Sequence, residues 1–543
     1  MPTNQQEQEV NYARSLSEQL TFRGIFIGTI GSCIITTSSM YIALRMGSLP
    51  WPTIFAAVLS MVILKALGST NVNEINLTHT TMSAGAMVAG GLAFTIPGVW
   101  MIDKDADISL LTLFIVTICG TVLGLLFTGL IRSFFIVQKE LPFPMGIAAS
   151  QTVMAGIKGK KAKLLFSSLG LSAAITAFRD GFNWFSSTWM SAKLAIHNLF
   201  FGIWLSPMAV GMGYLIGPLY TSIWFLGAGF TYFVLIPVGL AKGWFDSIES
   251  AAIFKDSLGI GLMVGSGIGI LLKGVIPKTK EIYGLIFNEK VDSKRILSKA
   301  IPIALILIAF FLTFLTELSL FPSILMIIGV WLTTIMAGTI TGQTGINPME
   351  VFAILVLVAI KSLFNTTMIE SFLIAAIVAV ACGLTGGVLN DFKSGHLLRT
   401  DPKAQFISEA IGGVIGAIVS CLVLYVMFQS YGAMGPGTEL PAPQAFAVST
   451  MIDGLPDVKT FFAGLIIGAL LYVFNIPGMT IGLGLYLPIY MSTTVFIGGM
   501  LKFIISKFSA KKAKNGMIIS SGLLGGEGVA GVVIAIVKVL TGG

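Results

Sequence analysis

Apolar residues run on without alternation for stretches of about 20 residues, the length that crosses a bilayer, and short polar stretches separate them. The clearest runs lie near 23–45, 50–68, 80–99, 109–137, 163–178, 197–220, 222–240, 257–276, 300–316, 321–341, 348–366, 370–389, 405–429, 460–475, 478–500 and 515–540. Continuous apolarity predicts helices. A membrane barrel would instead show alternating segments of roughly ten residues. In hydrocarbon only these two forms satisfy every backbone polar group internally. The expected fold is therefore all-α, a polytopic transmembrane bundle of about 14–16 segments. Many runs carry Pro or Gly near their middle, which predicts kinked or broken helices.

Loop charge sets the topology. The stretch 157–163 holds four lysines and no acid, 273–299 seven Lys/Arg against three acids, and 501–514 five lysines and no acid. All three read as cytoplasmic. The stretches 101–108 and 430–459 are poor in basic residues and suit the outer face. Placing 430–459 outside and 501–514 inside needs an odd number of crossings between two apolar runs. One of 460–475 and 478–500 is therefore expected to be re-entrant, and the short, proline-led 140–157 raises the same expectation. Residues 1–22 are polar and read as a cytoplasmic N-terminus with no signal-peptide core. Residues 23–543 read as one transmembrane domain, with possible halves 23–275 and 300–543 and a cytoplasmic linker 276–299. An internal echo supports two halves: Pro50 precedes Ser83 by 33 residues, and Pro488 precedes Ser521 by 33.

Composition agrees. Hydrophobic residues make up 55% of the chain, charged residues 11%, and mean hydropathy is +0.90. The net charge of +8 comes from scattered cytoplasmic loops, which argues against nucleic-acid binding. The cysteines (Cys33, Cys119, Cys382, Cys421) sit inside apolar runs with no metal-ligand spacing. Walker A, H-E-x-x-H and G-x-S-x-G motifs are missing, so the chain is not expected to hydrolyse ATP or act as an enzyme. Pairs such as Gly24/Gly28, Gly120/Gly124, Gly412/Gly416, Gly464/Gly468 and Gly522/Gly526 predict close helix packing.

Polar residues at membrane depth are costly, so they mark candidate sites. Four clusters stand out: Asn73–His79 with Glu74; Gly338–Glu350 with Gln343, Asn347 and Glu350; Gly386–His396 with Asn390 and Asp391; and Glu527 among glycines. In the second cluster, Pro348 suits a helix start, the exposed backbone suits a carboxylate, and Gln343 or Asn347 suits a peptide group. An interfacial turn is the alternative. Glu527 is placed either to exchange a proton or to pair with a basic residue on a neighbouring helix. Glu74 and Asp391 sit where an interfacial charge needs no special role. The histidines form no metal pair.

Six stretches resemble the oligopeptide transporter (OPT) superfamily, which includes the yellow stripe-like metal-chelate transporters. They are NEINLTHTTMSAGAMVAGGLAFTIPG (73–98), ELPFPMGIAASQTV (140–153), TGQTGINPMEVF (341–352), LNDFKSGHLLRTDPKAQFISEAIGGVIGA (389–417), GLGLYLPIYMSTTVFIGG (482–499) and SGLLGGEGVAG (521–531). They occur in the family's order over almost the whole chain. The chain lacks the K-I-P-P-R motif and the long acidic N-terminal region of the fungal and plant peptide branch and looks closer to the compact prokaryotic one. The resemblance implies about 16 segments and proton-coupled import of short peptides or peptide-like metal chelates across the cell membrane. The proton gradient would be the energy source, with no cofactor. Carried onto this chain, it marks Glu74, Gln343, Asn347, Glu350, Asp391 and Glu527. The expected substrate-binding set is Gln343, Asn347, Glu350, Asn390 and Asp391, and the expected proton-coupling set is Glu527, Glu350 and Glu74. The expected central cavity is lined by 338–350, 386–396 and the Glu527 helix. Expected partners are the solute, protons and lipid, with a homo-oligomer left open. The rivals are metal-chelate uptake on the same scaffold, a passive channel and an intramembrane enzyme.

Overall fold

The computed structural model describes residues 11–541 apart from 48, 50–51, 158–161, 270–271, 274–276, 278–291, 439 and 454–456. Most of the expected linker, the lysines at 158, 160 and 161, and Pro50 lie outside the described residues.

The chain is built from helices. In order they are α1 (Phe22–Met46), α2 (Pro52–Ala66), α3 (Val72–Ala93), α4 (Leu110–Ser133), α5 (Pro144–Ile157), α6 (Ala162–Thr176), α7 (Pro207–Ile216), α8 (Pro218–Phe230) and α9 (Ile248–Gly269). There follow α10 (Asp292–Leu315), α11 (Leu320–Thr344), α12 (Met349–Lys361), α13 (Met368–Leu397), α14 (Pro402–Tyr431), α15 (Pro443–Asp453), α16 (Val458–Val473), α17 (Gly478–Tyr486), α18 (Ile489–Phe508) and α19 (Ala510–Thr541). Among the described residues, nine helical stretches are long and apolar enough to cross a membrane, and shorter apolar helices accompany them. The one sheet among the described residues is a ribbon of β1 (Thr188–Met190) and β2 (Gly202–Trp204), paired antiparallel.

The two sequence halves interleave. Helices α1–α5 pack mainly with α10–α15 and α6–α9 mainly with α16–α19, while α19 also packs on α1, α2 and α5. α13 is the centre of the first group. A capping box starts it: the Thr367 hydroxyl accepts from the Glu370 N–H, and the Glu370 carboxylate accepts from the Thr367 N–H. Its side chains are buried from Glu370 to Gly395. The glycine pairs pack as expected. Gly416 meets Gly85 backbone to backbone, Gly468 lies on the backbone of α9, and Gly522 and Gly526 lie on α6. A Cβ at any of these would overlap its neighbour. The Pro50–Ser83 and Pro488–Ser521 stretches lead through α2–α3 and α18–α19, two helix pairs joined by short turns.

Several boundaries differ from expectation for identifiable reasons. α3 begins at Val72 rather than near 80, because its polar first turns are paired: the Asn73 amide donates to Leu398 O at 3.0 Å, and Arg23 takes Glu74. The run 197–220 is helical as a transmembrane segment only from Pro207; the residues before it form the ribbon and its turn. The run 478–500 breaks at Leu487–Pro488 into α17 and α18.

That break resolves the crossing conflict. α16 runs alongside α9, with Gly464 near Leu258 and Tyr472 against Gly269. α17 turns back along α9, from Gly478 beside Ser266 to Tyr486 beside Gly259. α18 then returns beside α7, from Tyr490 near Gly202 to Lys502, whose amine donates to Leu215 O. We assign the pair α17–α18 as the re-entrant hairpin, because its two outer ends, at Asn475 and Lys502, lie toward the same end of α8. α5 spans only ~21 Å at 1.5 Å per residue against a hydrocarbon core of ~30 Å. It starts inside the bundle, where the Phe143 N–H donates to Gly342 O at 2.9 Å. We predict that single cysteines placed at Asn475 and Ala510 react with a membrane-impermeant maleimide from the same face of the membrane. Reaction from opposite faces would break the hairpin assignment.

Candidate functional site

Two helices restart inside the bundle. Ser206 caps α7, its hydroxyl accepting the Ala209 N–H at 3.0 Å, and Pro207 occupies the first turn, where no backbone donor is needed. Before α12, Gly345 ends α11 at φ +75°, a left-handed turn that a side chain would strain. The chain then passes through Asn347-Pro348, and Met349 packs against Gly383 in the middle of α13. The two restarts share a pattern, Ser206-Pro207-Met208 and Asn347-Pro348-Met349. The Asn347 amide nitrogen donates to Cys382 O at 2.8 Å, fixing the second restart to α13. The tip of the α17–α18 hairpin, Tyr486–Tyr490, comes to the same region.

Two cavities open where these three breaks meet. The larger, about 440 Å³, is lined by Tyr41 and Arg45 of α1, Arg179 and Asp180, Lys255 and Asp256 of α9, Tyr486 and Tyr490 at the hairpin tip, and Glu527 of α19. The smaller, about 130 Å³, is lined by Ile346–Glu350, Met87, Trp224 and Leu483. Gly47, Trp204, Gln444, Leu487 and Met491 line both, so the cavities adjoin.

The wall of the larger cavity holds a built charge network. Arg179 lies in a π-helical turn (Ala177–Gly181) that extends α6, and it is 2% exposed. Its Nη2 donates to Glu527 Oε1 at 2.8 Å and to Asp180 Oδ2 at 2.6 Å, Nε donates to Asp180 Oδ1 at 2.8 Å, and Nη1 donates to Leu205 O at 2.6 Å. Glu527 also accepts from the Ser206 hydroxyl at 2.9 Å and the Met208 N–H at 2.8 Å. A carboxylate at a helix N-terminus beside a guanidinium is a strongly held anion. Beside it, the Lys255 amine donates to Asp256 at 2.5 Å and to Tyr486 O at 3.0 Å.

The residues marked by sequence distribute as follows. Glu527 lines the larger cavity and Asn347 and Glu350 the smaller. Glu350 is 7% exposed and forms no ion pair among the described residues. The side chain of Gln343 lies outside the described residues; its backbone is in the last turn of α11. Glu74 is in the first turn of α3, held by Arg23 Nε and Nη2 at 2.7 Å each, by Thr21 at 2.6 Å and by Thr70 at 2.7 Å. Asn390 accepts the Gly146 N–H at 3.1 Å and donates to Gly386 O at 2.9 Å, which ties α5 to α13. Asp391 accepts from the Ser83 hydroxyl at 2.5 Å. Neither Asn390 nor Asp391 lines either cavity. The expected cavity wall is therefore corrected: 346–350 and the Glu527 helix contribute, and 386–396 packs against α3 and α5 instead.

Sequence reasoning passed over Arg45, Arg179, Asp180, Lys255 and Asp256. The signal for the last two was an adjacent Lys-Asp pair in an otherwise apolar helix, and Arg179-Asp180 repeats that adjacency at the end of α6.

A family model described as OPT oligopeptide transporter protein matches residues 19–538. The chain belongs to that family. It is thus a multi-span membrane protein of an OPT transporter family. It is 27% identical to a putative oligopeptide transporter of Haemophilus influenzae, over 93% of this chain and 94% of the relative. It is 22% identical to a metal-nicotianamine transporter of Arabidopsis thaliana, over 97% of this chain and 92% of the relative. A probable metal-nicotianamine transporter of Oryza sativa subsp. japonica is 28% identical over 30% of this chain and 28% of its own length.

Removing one partner of a buried pair leaves the other charge uncompensated, at about 3–5 kcal/mol. We predict that Arg179→Met destabilises this OPT protein by about that amount, read as thermal unfolding in detergent. Adding Glu527→Gln to Arg179→Met removes the stranded charge and restores most of the loss.

Proposed function

We propose that this protein imports short peptides or peptide-like solutes across the cell membrane, driven by protons, with its N-terminus in the cytoplasm. The observation that carries this reading is the larger cavity, whose wall presents both signs of charge among aromatic side chains. Its volume, about 440 Å³, suits a small solute, since such sites span ~300–1,000 Å³. A zwitterionic solute has a carboxylate for Lys255 or Arg45 and an amine for Asp180 or Asp256. Tyr41, Tyr486 and Tyr490 offer hydroxyls and ring faces to peptide groups.

Discontinuous helices meeting at a cavity are what a carrier uses to expose a site to alternate sides. The carboxylates support protons as the energy source. Glu527 and Glu74 are each held by an arginine. Glu350 has no cation beside it among the described residues, and a desolvated carboxylate without one is costly. A proton is its natural counter-charge, so Glu350 exchanges the coupling proton next to the solute. The basic stretches 273–299 and 501–514 favour the inner face, with 430–459 outside. The protein is a carrier and has no catalytic role.

Uptake of a metal chelate by the same cavity is the second reading, favoured by the metal-nicotianamine relatives. Purified protein in liposomes with an imposed pH gradient separates the two, using labelled di- to hexapeptides and an iron–nicotianamine chelate. The expected result is accumulation of a peptide above its outside concentration, collapsing with a protonophore. Glu350→Gln reduces accumulation to the passive level while solute exchange continues. Uphill uptake by Glu350→Gln contradicts its role, uptake of the chelate alone selects the second reading, and flux that never exceeds the gradient makes the protein a channel.

A further inference from the structure

The two cavities of the functional site belong to a longer row. Phe446 lines the larger one and also a cavity of about 250 Å³ at the loop after α14, beside Trp100 and Lys104. At the other end, Ile346, Pro348 and Leu483 line the smaller one and also a cavity of about 460 Å³ at the turn between α16 and α17. These four cavities adjoin one another from the loop after α14 to the face that carries Asn475 and Lys273.

The chemistry changes along the row. The larger cavity of the functional site presents Arg45, Asp180, Lys255 and Asp256. The described residues that line the 460 Å³ cavity include no acid and no base. Its polar groups are neutral, on Tyr220, Ser266, Tyr472, Asn475 and Thr480. Lys273 stands beside Asn475, but its amine donates to Val473 O at 2.7 Å. The charged and the neutral cavity are close in volume, about 440 and 460 Å³, so a solute that fits one fits the other. A zwitterion finds counter-charges in the first and none in the second, and an unpaired charge away from bulk water is held weakly.

The partition before the neutral cavity is apolar. Pro348 is buried, Leu483 is 8% exposed, and the side chains of Ile346, Pro348 and Leu483 offer no hydrogen bond to a passing peptide group. Such a constriction stops polar solutes. Its two sides are fixed to different helix groups. Asn347 ties Ile346 and Pro348 to α13 through Cys382 O. Leu483 lies on α17, whose Gly482 presses on Gly259 of α9 and whose Gly484 presses on Trp224 O of α8. A Cβ at either glycine would overlap its neighbour, so α17 moves with α8 and α9. The partition is therefore a contact between the two groups, and movement of one against the other opens it.

We infer, on the import function proposed for the larger cavity, that the neutral 460 Å³ cavity is the chamber from which the solute is released and that Ile346, Pro348 and Leu483 form the closed gate before it. The solute is held where its charges are paired and leaves where they are not.

Cysteine labelling in oriented proteoliposomes tests this without a solute or a proton gradient. Its outcome is thus separate from that of the uptake assay. The native cysteines are buried or half-buried, and the wild type sets the background. Thr480→Cys is expected to react with a membrane-impermeant methanethiosulfonate added on the face that carries 501–514, and about tenfold more slowly with reagent on the opposite face. Adding Leu483→Ala opens the partition and removes that difference by raising the rate from the opposite face. Ile346→Ala does the same, which keeps the test open if Leu483→Ala fails to fold. No reaction from the near face overturns the chamber. Equal reaction from both faces before the gate is altered overturns the closed gate, and a rate that neither alanine variant changes overturns the choice of gate residues. Where the wild type accumulates solute, reagent attached at Thr480→Cys stops uptake and reagent attached at Ala510→Cys does not. Uptake that continues with the chamber filled overturns its place on the route. If the wild type accumulates nothing while the labelling pattern holds, the import function fails and the gated path stands.

Discussion

A backbone N–H or C=O in the middle of a bilayer must find a partner inside the protein, and the three helix breaks around the cavities obey that constraint. The α7 restart uses Ser206, Pro207 and the Glu527 carboxylate. Asn347 holds the second restart by reaching carbonyls of α13. The α17–α18 tip turns at Pro488, which has no N–H to satisfy. Because each break needs polar partners, the breaks collect in one place, and the cavities form there. The charged wall is a consequence of the same rule: once Glu527 serves a helix N-terminus in a dry interior, a guanidinium has to sit beside it.

The interleaved packing follows from small residues. Glycines on α14, α16 and α19 lie on the backbones of α3, α9 and α6, far away in sequence. Such contacts gain van der Waals energy only at close range, so they define which helices are rigidly joined. The first helix group carries Glu350, while Arg179, Lys255 and Glu527 belong to the second. Residues of both groups face the larger cavity, an arrangement in which relative movement of the groups changes the shape of the site.

Much of the fold was legible because continuous apolarity has one solution in lipid. The re-entrant hairpin was legible only as a conflict in loop charge, since the run 478–500 is apolar on both sides of Pro488 and hydropathy does not see a turn there. The β2 strand of the ribbon was hidden by its own aromatic and apolar residues, which read as the start of the span 197–220, and β1 fell between two predicted spans. At the site, Glu350 and Glu527 stood out as acids among small residues. What the sequence did not carry was the direction each acid faces. Asn390 and Asp391 belong to the same kind of glycine-rich polar segment as Asn347, yet α13 turns them toward α5 and α3. Arg179 was passed over because it follows the apolar run 163–178 in a π-helical turn that has no distinct sequence pattern.

The central claim is that the three helix breaks enclose the place where solute binds. Electron cryomicroscopy of the protein in lipid nanodiscs, with and without a saturating peptide identified by uptake, tests it most directly. The account predicts added density between Lys255, Asp256, Tyr486 and Glu527, with α7, α12 and the α17–α18 tip interrupted as described. Density bound elsewhere with these helices unchanged, or an unbroken helix through Pro348 or Pro488, would contradict it.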